Sequence, residues 1–244
     1  MKKRILSLCT LVSACSALGA AAAFAGHSGA TGSRGTPPMP PPSSFSSHVN
    51  NQWFPLLPGT RYVFAGVKDG KRSRDVMTVT HQTKTIAGVP CVVVHDRLYL
   101  HGRLGERTTD WYSQDSRGNV WYFGENTAEL DANGHVTSTE GTWTTGVDGA
   151  KAGILMPAHP RLGQSGRQEY YKGHAEDHFR VVSTRATVKV PAVSSKRALL
   201  TKEWTPLEPG VIDHKLYVRG IGTVLEQTVE GGDERQELVS VTRG

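Results

Sequence analysis

Short runs of β-branched and aromatic residues, apolar at or near every second position, recur from Arg61 to the C-terminus. Arg61-Tyr62-Val63-Phe64, Asp75-Val76-Met77-Thr78-Val79-Thr80, Val92-Val93-Val94, Val188-Lys189-Val190, Thr223-Val224-Leu225 and Leu238-Val239-Ser240-Val241 are such runs. A period of two, in side chains that pack well on a pleated surface, predicts strands. Between the runs, Asp69-Gly70, Asn133-Gly134 and Arg117-Gly118-Asn119 tolerate the positive φ that tight hairpins need. No window of a dozen residues keeps a helical period. Ser194 to Trp204 comes nearest, with Ser194 or Ser195 as a cap, and its pattern fits helix or strand. The predicted fold is all-β: an antiparallel meander from Val49 to Gly244 that curls into a barrel, a half-barrel or a sandwich to bury its edges.

Before Val49 the pattern changes twice. Lys2, Lys3 and Arg4 precede an uncharged, mostly apolar run from Ile5 to Ala23, and Ala23-Phe24-Ala25 supplies small-x-small. This reads as a signal peptide over residues 1–25 and a secreted or periplasmic protein. Val12-Ser13-Ala14-Cys15 also fits a lipobox, which predicts instead a protein lipid-anchored to the cell envelope through Cys15. Residues 26–48 are Gly, Ser, Thr and Pro with the run Pro37-Pro38-Met39-Pro40-Pro41-Pro42, the composition of a linker with a stiff polyproline stretch.

Export changes the charge and the thiol count. Losing Lys2, Lys3 and Arg4 takes 28 basic residues to 25 against 22 acidic ones, a net of +3 rather than +6. With acids interleaved among Lys68, Lys71, Arg72 and Arg74 and no basic stripe carrying stacking aromatics, no nucleic-acid partner is expected. Cleavage after Ala25 leaves Cys91 as the one thiol, which excludes an intramolecular disulfide. Cys91 opens a run of three valines and is expected to act as a small buried hydrophobe.

Trp53-Phe54-Pro55-Leu56-Leu57-Pro58-Gly59 is echoed by Trp204-Thr205-Pro206-Leu207-Glu208-Pro209-Gly210. Both read as one device: a Trp anchor, two prolines that refuse ladder bonds, and a Pro-Gly turn that opens a strand. Together with Asp110-Trp111-Tyr112-Ser113-Gln114-Asp115, Gly118-Asn119-Val120-Trp121-Tyr122-Phe123-Gly124-Glu125 and Leu199-Leu200-Thr201-Lys202-Glu203-Trp204, these stretches resemble an uncharacterised family of exported bacterial β-rich proteins. The resemblance spans most of the chain beyond the linker and brings no activity with it. The opening P-L-x-P-G-x-x-Y-V also resembles, more distantly, the first strand of lipoprotein-carrier-like half-barrels, which bears on fold alone.

Two segments carry candidate chemistry. In a hairpin turning at Ser116 to Asn119, counting outward sets Tyr112 opposite Phe123 and Asp110 opposite Glu125. Parity then puts Asp110, Tyr112, Trp121, Phe123 and Glu125 on one face, a candidate ligand site with aromatic walls and a carboxylate end. Opposed carboxylates repel unless a cation intervenes, one is protonated, or water reaches both. In His174-Ala175-Glu176-Asp177-His178, a strand would align His174, Glu176 and His178, a set suited to a divalent transition metal. The H-E-x-x-H motif is absent, and its inverted form has Asp177 where Glu is needed.

The expected function is therefore non-catalytic binding of a small-molecule or lipid ligand, or of an envelope component, in a concave sheet. A metal-dependent hydrolase using His174, Glu176 and His178 is the alternative, and a wall-associated structural module a third.

Overall fold

The computed structural model describes residues 37–244. The predicted signal peptide, Cys15 and the first part of the linker lie outside the described residues. Among the described residues there is no α-helix. The strands are β1 (Phe45–Ser46), β2 (Arg61–Lys68), β3 (Lys71–Ile86), β4 (Val89–Leu100), β5 (Arg103–Asp115), β6 (Val120–Leu130), β7 (Val136–Ser138), β8 (Trp143–Thr144), β9 (Lys151–Met156), β10 (Ser165–Arg167), β11 (Glu169–Tyr170), β12 (His178–Val190), β13 (Val193–Trp204), β14 (Ile212–Val218), β15 (Gly222–Glu230) and β16 (Arg235–Thr242). Every apolar run singled out above falls inside one of them. Ser194 to Trp204 is strand, and the sheet decides it: β13 is laddered to β12 on one side and to β14 on the other.

The strands join in one antiparallel sheet ordered β10-β12-β13-β14-β15-β16-β2-β3-β4-β5-β6-β9-β11, a meander in which the last strand returns to pair with β2. The edges meet through one short segment. Its first half, β10, bonds to β12 at His178–Arg180 and its second half, β11, bonds to β9 at Lys151 and Ala152, so the sheet is nearly closed into a barrel through two short ladders. The turns match their chemistry in part. Asp69-Gly70 has both residues at positive φ, and so do Ala87-Gly88 and His101-Gly102. The last two pairs place a residue with a full Cβ where glycine or asparagine is usual.

Two apolar clusters hold the sheet. The larger fills one end of the barrel with Tyr62, Phe64, Val79, Val94, Leu199 and Leu238, and Val49, Trp53, Phe54 and Leu56 from the segment before β2 plug that end. Each large side chain so buried contributes about 1.5–3 kcal/mol. Trp53 is thus the anchor its motif implied, and Pro58-Gly59 turns the chain into β2; Trp204 ends β13 and Gly210 turns the chain toward β14. The smaller cluster lies outside the barrel, where Phe45, Ile86, Cys91, Val93, Trp111, Trp121 and Phe123 pack together. Phe45 of β1 meets Trp121 and Phe123 edge-on at 5.9 and 5.4 Å. The final part of the stretch read as linker is therefore part of the fold: Pro42–Ser44 is a 3-10 turn and β1 pairs with β5. Cys91 is buried and free, and burial pushes its thiol up to about 12, which keeps it inert as a nucleophile.

Gly124 has the most exacting position in the sheet. It stands at φ +134°, and a Cβ there would come within 2.3 Å of the Trp143 carbonyl oxygen in β8. Gly124→Ala is expected to push β8 off β6 and to cost about 2–4 kcal/mol from strain and lost pairing. Urea unfolding measures it, and an unchanged midpoint would mean that β8 is not held there.

Candidate functional site

The aromatic hairpin forms, with a register other than parity alone implies. Gln114 rather than Asp115 pairs with Val120, and Tyr112 pairs with Tyr122 rather than Phe123. The cause is Asp115, whose Oδ1 accepts from the backbone N–H groups of Arg117 and Asn119 at 2.9 Å each. Its Oδ2 accepts from Asn119 Nδ2 at 2.8 Å and Trp121 Nε1 at 2.9 Å. These bonds tighten the turn by one residue. A bulge then absorbs the offset between Tyr122 and Gly124, so Asp110 faces Glu125 after all. The predicted face is corrected accordingly: Asp110, Tyr112 and Glu125 share the barrel interior with Tyr122, whereas Trp121 and Phe123 are on the outer surface under Phe45. Tyr112 stacks on Tyr122 at 4.8 Å, and the Tyr122 hydroxyl donates to Asp110 at 2.7 Å.

Beyond that pair the interior becomes polar, through rows of acids and threonines at every second position. Three groups of buried carboxylates follow one another around the barrel. In the first, Asp75, Asp96, Glu106 and Glu234 surround Lys68. Burial and then the neighbouring Asp75 drive Asp96 well above the carboxylate range. Burial also pushes Asp75, Glu106 and Glu234 up to about 7. For Lys68, burial opposes the ammonium, but the acids around it outweigh that and raise its pKa. Its Nζ, both Glu234 oxygens and Gln236 Oε1 are buried without a hydrogen-bond partner in the described residues.

The second group is centred on Lys215, whose Nζ lies 3.1 Å from Glu203 Oε2 and 3.3 Å from Glu226 Oε1. Glu203 also accepts from the hydroxyls of Thr201 and Tyr217 at 2.8 and 3.0 Å, and Asp213 from Thr228 at 2.7 Å. Burial pushes Glu226 up to about 8 and Asp213 up to about 6. The third group joins the hairpin's Asp110 and Glu125 to Glu169 and Asp177 and contains no lysine. Glu169 accepts from Trp143 Nε1 at 2.7 Å and is driven well above the carboxylate range, first by burial and then by the neighbouring Asp177. Sequence reasoning found two of these acids. The i, i+2 rows Glu106-Thr108-Asp110, Thr201-Glu203 and Asp213-Lys215 carry the signal for Glu106, Glu203 and Asp213.

The histidine segment is neither strand nor helix but a turn closed by a Tyr171–Ala175 bridge, and β12 begins at His178. That turn separates the three side chains. His174 Nδ1 meets Glu140 at 2.9 Å and its ring stacks on Tyr171, Glu176 accepts from the Gly173 N–H at 2.7 Å, and His178 stacks on Trp204. Among the described residues no three His, Cys, Asp or Glu side chains are grouped to hold a metal ion. The transition-metal site expected at His174, Glu176 and His178 is therefore not assembled.

Open space lies elsewhere, at the plugged end of the barrel. Asn51 Nδ2 donates to the carbonyls of Gly118 and Pro157, at 2.8 and 3.3 Å, and the Ala158 N–H donates to Asn119 Oδ1 at 2.9 Å. Plug, hairpin turn and the loop 157–163 thus meet at one rim. A cleft of about 770 Å³ on one side of the loop is lined by Trp53, His159, Arg185, Arg197 and Arg219. Another of about 790 Å³ on its other side is lined by Arg117, His159, Arg161 and Leu162 among others. Neither lining includes an acid. A cavity inside the apolar end, between Phe54, Tyr62 and Met77, has only about 10 Å³.

No protein-family model and no curated protein matches the chain. Among solved structures, the crystal structure of a "putative lipoprotein" from Parabacteroides distasonis aligns over 78% of this chain and 97% of that one, at 12% identity and a TM-score of 0.37. A likeness of that size is too slight to decide fold or function.

Proposed function

We propose that the protein is an exported, non-catalytic binding protein that engages a small ligand or envelope component at the rim of a filled barrel. The carrying observation is where space is found. The apolar half of the lumen is stopped by Val49, Trp53, Phe54 and Leu56 and the polar half is packed with carboxylates and lysines, while two clefts of ligand size open on either side of the loop 157–163. Pockets of several hundred Å³ are the usual scale for small-molecule sites. The acidic interior supports that rim as scaffold, since its carboxylates are buried. Export is supported by the basic-apolar-small pattern of residues 1–25.

Native mass spectrometry of the protein gently purified from its host tests this. A retained species is expected, lost on His159→Trp, which fills both clefts, and kept on Glu125→Gln. A species kept by His159→Trp but lost with Glu125→Gln would return the site to the lumen. Chemical conversion of the species on incubation would make the protein an enzyme, and no retained species would remove the reading.

A further inference from the structure

The cleft between the plug and the β12–β13 corner is built from cations that the fold leaves uncompensated. Arg219 is positioned from two sides: its Nη1 donates to Gln52 Oε1 at 2.6 Å and its guanidinium lies 4.7 Å from the Trp53 ring centroid. That arrangement reduces the rotamer entropy lost on binding. Arg185 and Arg197 come from neighbouring strands on either side of the Ala186–Ala198 pair, where bulges at Val181/Ser183, Ser183/Ala186 and Ala186/Val188 bend the hairpin over the barrel end. Both are exposed, and among the described residues neither guanidinium has a hydrogen bond or ion pair. Three guanidiniums and His159 thus share a concave surface of about 770 Å³ with no carboxylate in its lining.

We propose that this cleft binds a phosphate ester, with Arg185, Arg197 and Arg219 as its ligands. The proposal rests on the rim reading above and names its ligand class. A phosphoryl group offers several oxygens in a tetrahedral array, which planar guanidinium forks approach two donors at a time from different sides. Like charges gathered in a concavity also focus a positive field that draws the anion in and weakens with salt. Trp53 has one ring face under Arg219 and serves to hold that arginine rather than to stack a base.

Titration calorimetry in low salt, with inorganic pyrophosphate and then glycerol 3-phosphate, tests the cleft. Binding is expected, falling when salt is raised and weakening by about tenfold or more for each of Arg185→Ala and Arg197→Ala, since a hydrogen bond to a charged group is worth about 1.5–3 kcal/mol. Both side chains are exposed, so the variants keep the wild-type thermal midpoint. Sedimentation with phosphatidylcholine vesicles, plain or doped with phosphatidic acid, separates sources. Binding to soluble esters alone assigns a free phosphorylated ligand, and arginine-dependent binding to doped vesicles alone assigns a lipid headgroup. Binding to neither, or binding that survives both arginine replacements, overturns the proposal. A host-derived species lost on His159→Trp with no phosphate binding would overturn the phosphate assignment while leaving the rim reading intact.

Discussion

Lowering the pH from 8 to 5 is expected to raise the thermal midpoint of this protein by about 10 °C or more. Most proteins with paired carboxylates behave in the opposite way, because the folded state depresses those pKa values. Here burial raises them: Asp213 to about 6, Asp75, Glu106 and Glu234 to about 7, Glu226 to about 8, and Asp96 and Glu169 well up. In the unfolded chain the same groups ionise near pH 4. Between roughly pH 4.5 and 8 the folded state therefore holds protons that the unfolded state has released, and stability falls as pH rises. Each group contributes about 1.4 kcal/mol per pH unit over its own window. A net difference of only two protons over two pH units gives about 5 kcal/mol, and at about 2–4 °C per kcal/mol for a domain of this size this sets the expected shift. Calorimetry from pH 5 to 9 measures it. Asp75→Asn, which cannot ionise, should flatten the slope, and a midpoint that rises with pH would show the lumen to be hydrated and its acids ordinary.

The same acids mark how far the sequence could be read. The meander and its curl were legible because β-branched runs and the Asp69-Gly70 turn state their own geometry, and β-pairing confirmed them strand by strand. The turns at Ala87-Gly88 and His101-Gly102 were not, since alanine and histidine at positive φ carry no local signature and are held there by the ladders on either side. The hairpin face failed for a definite reason. Parity propagates along a strand only until a bulge, and the two departures from simple counting, at Asp115 and at Phe123-Gly124, cancel at Asp110 but not at Trp121 and Phe123. The acid-threonine rows were written in the sequence yet look like a solvated face, because alternation tells which residues share a side and not which side is wet. Only closure by the segment from Ser165 to Tyr170 puts them inside. The rim clefts had no sequence signal, because Arg185, Arg197 and Arg219 are brought together by the bent β12–β13 hairpin and the plug.

Replacing Lys215 is expected to be the most damaging single change in the lumen. Its side chain is 3% exposed and its ammonium joins Glu203 and Glu226, whose side chains are 1% and 3% exposed. Removing one partner of a buried ion pair leaves charge in a low-dielectric interior and typically costs about 3–5 kcal/mol. Lys215→Met keeps the apolar stem and removes the charge, so the loss comes from electrostatics rather than a cavity. The damage should also depend on pH. At pH 5 Glu226 takes up a proton, since its folded pKa lies near 8 even with the lysine beside it, and the variant should recover part of the loss; at pH 8 it should be at its weakest. Combining Lys215→Met with Glu203→Gln and Glu226→Gln removes all three charges, and the triple variant is expected to be more stable than Lys215→Met alone by at least about 2 kcal/mol, because uncharged groups of similar shape replace a buried ion cluster at little cost. Urea unfolding of the wild type, Lys215→Met, the triple variant and a Lys189→Met control at both pH values checks this. If Lys215→Met costs no more than an exposed substitution such as Lys189→Met, or if the triple variant is the least stable, then water reaches the second group and the interior is not the closed acidic core that the rim reading needs as its scaffold.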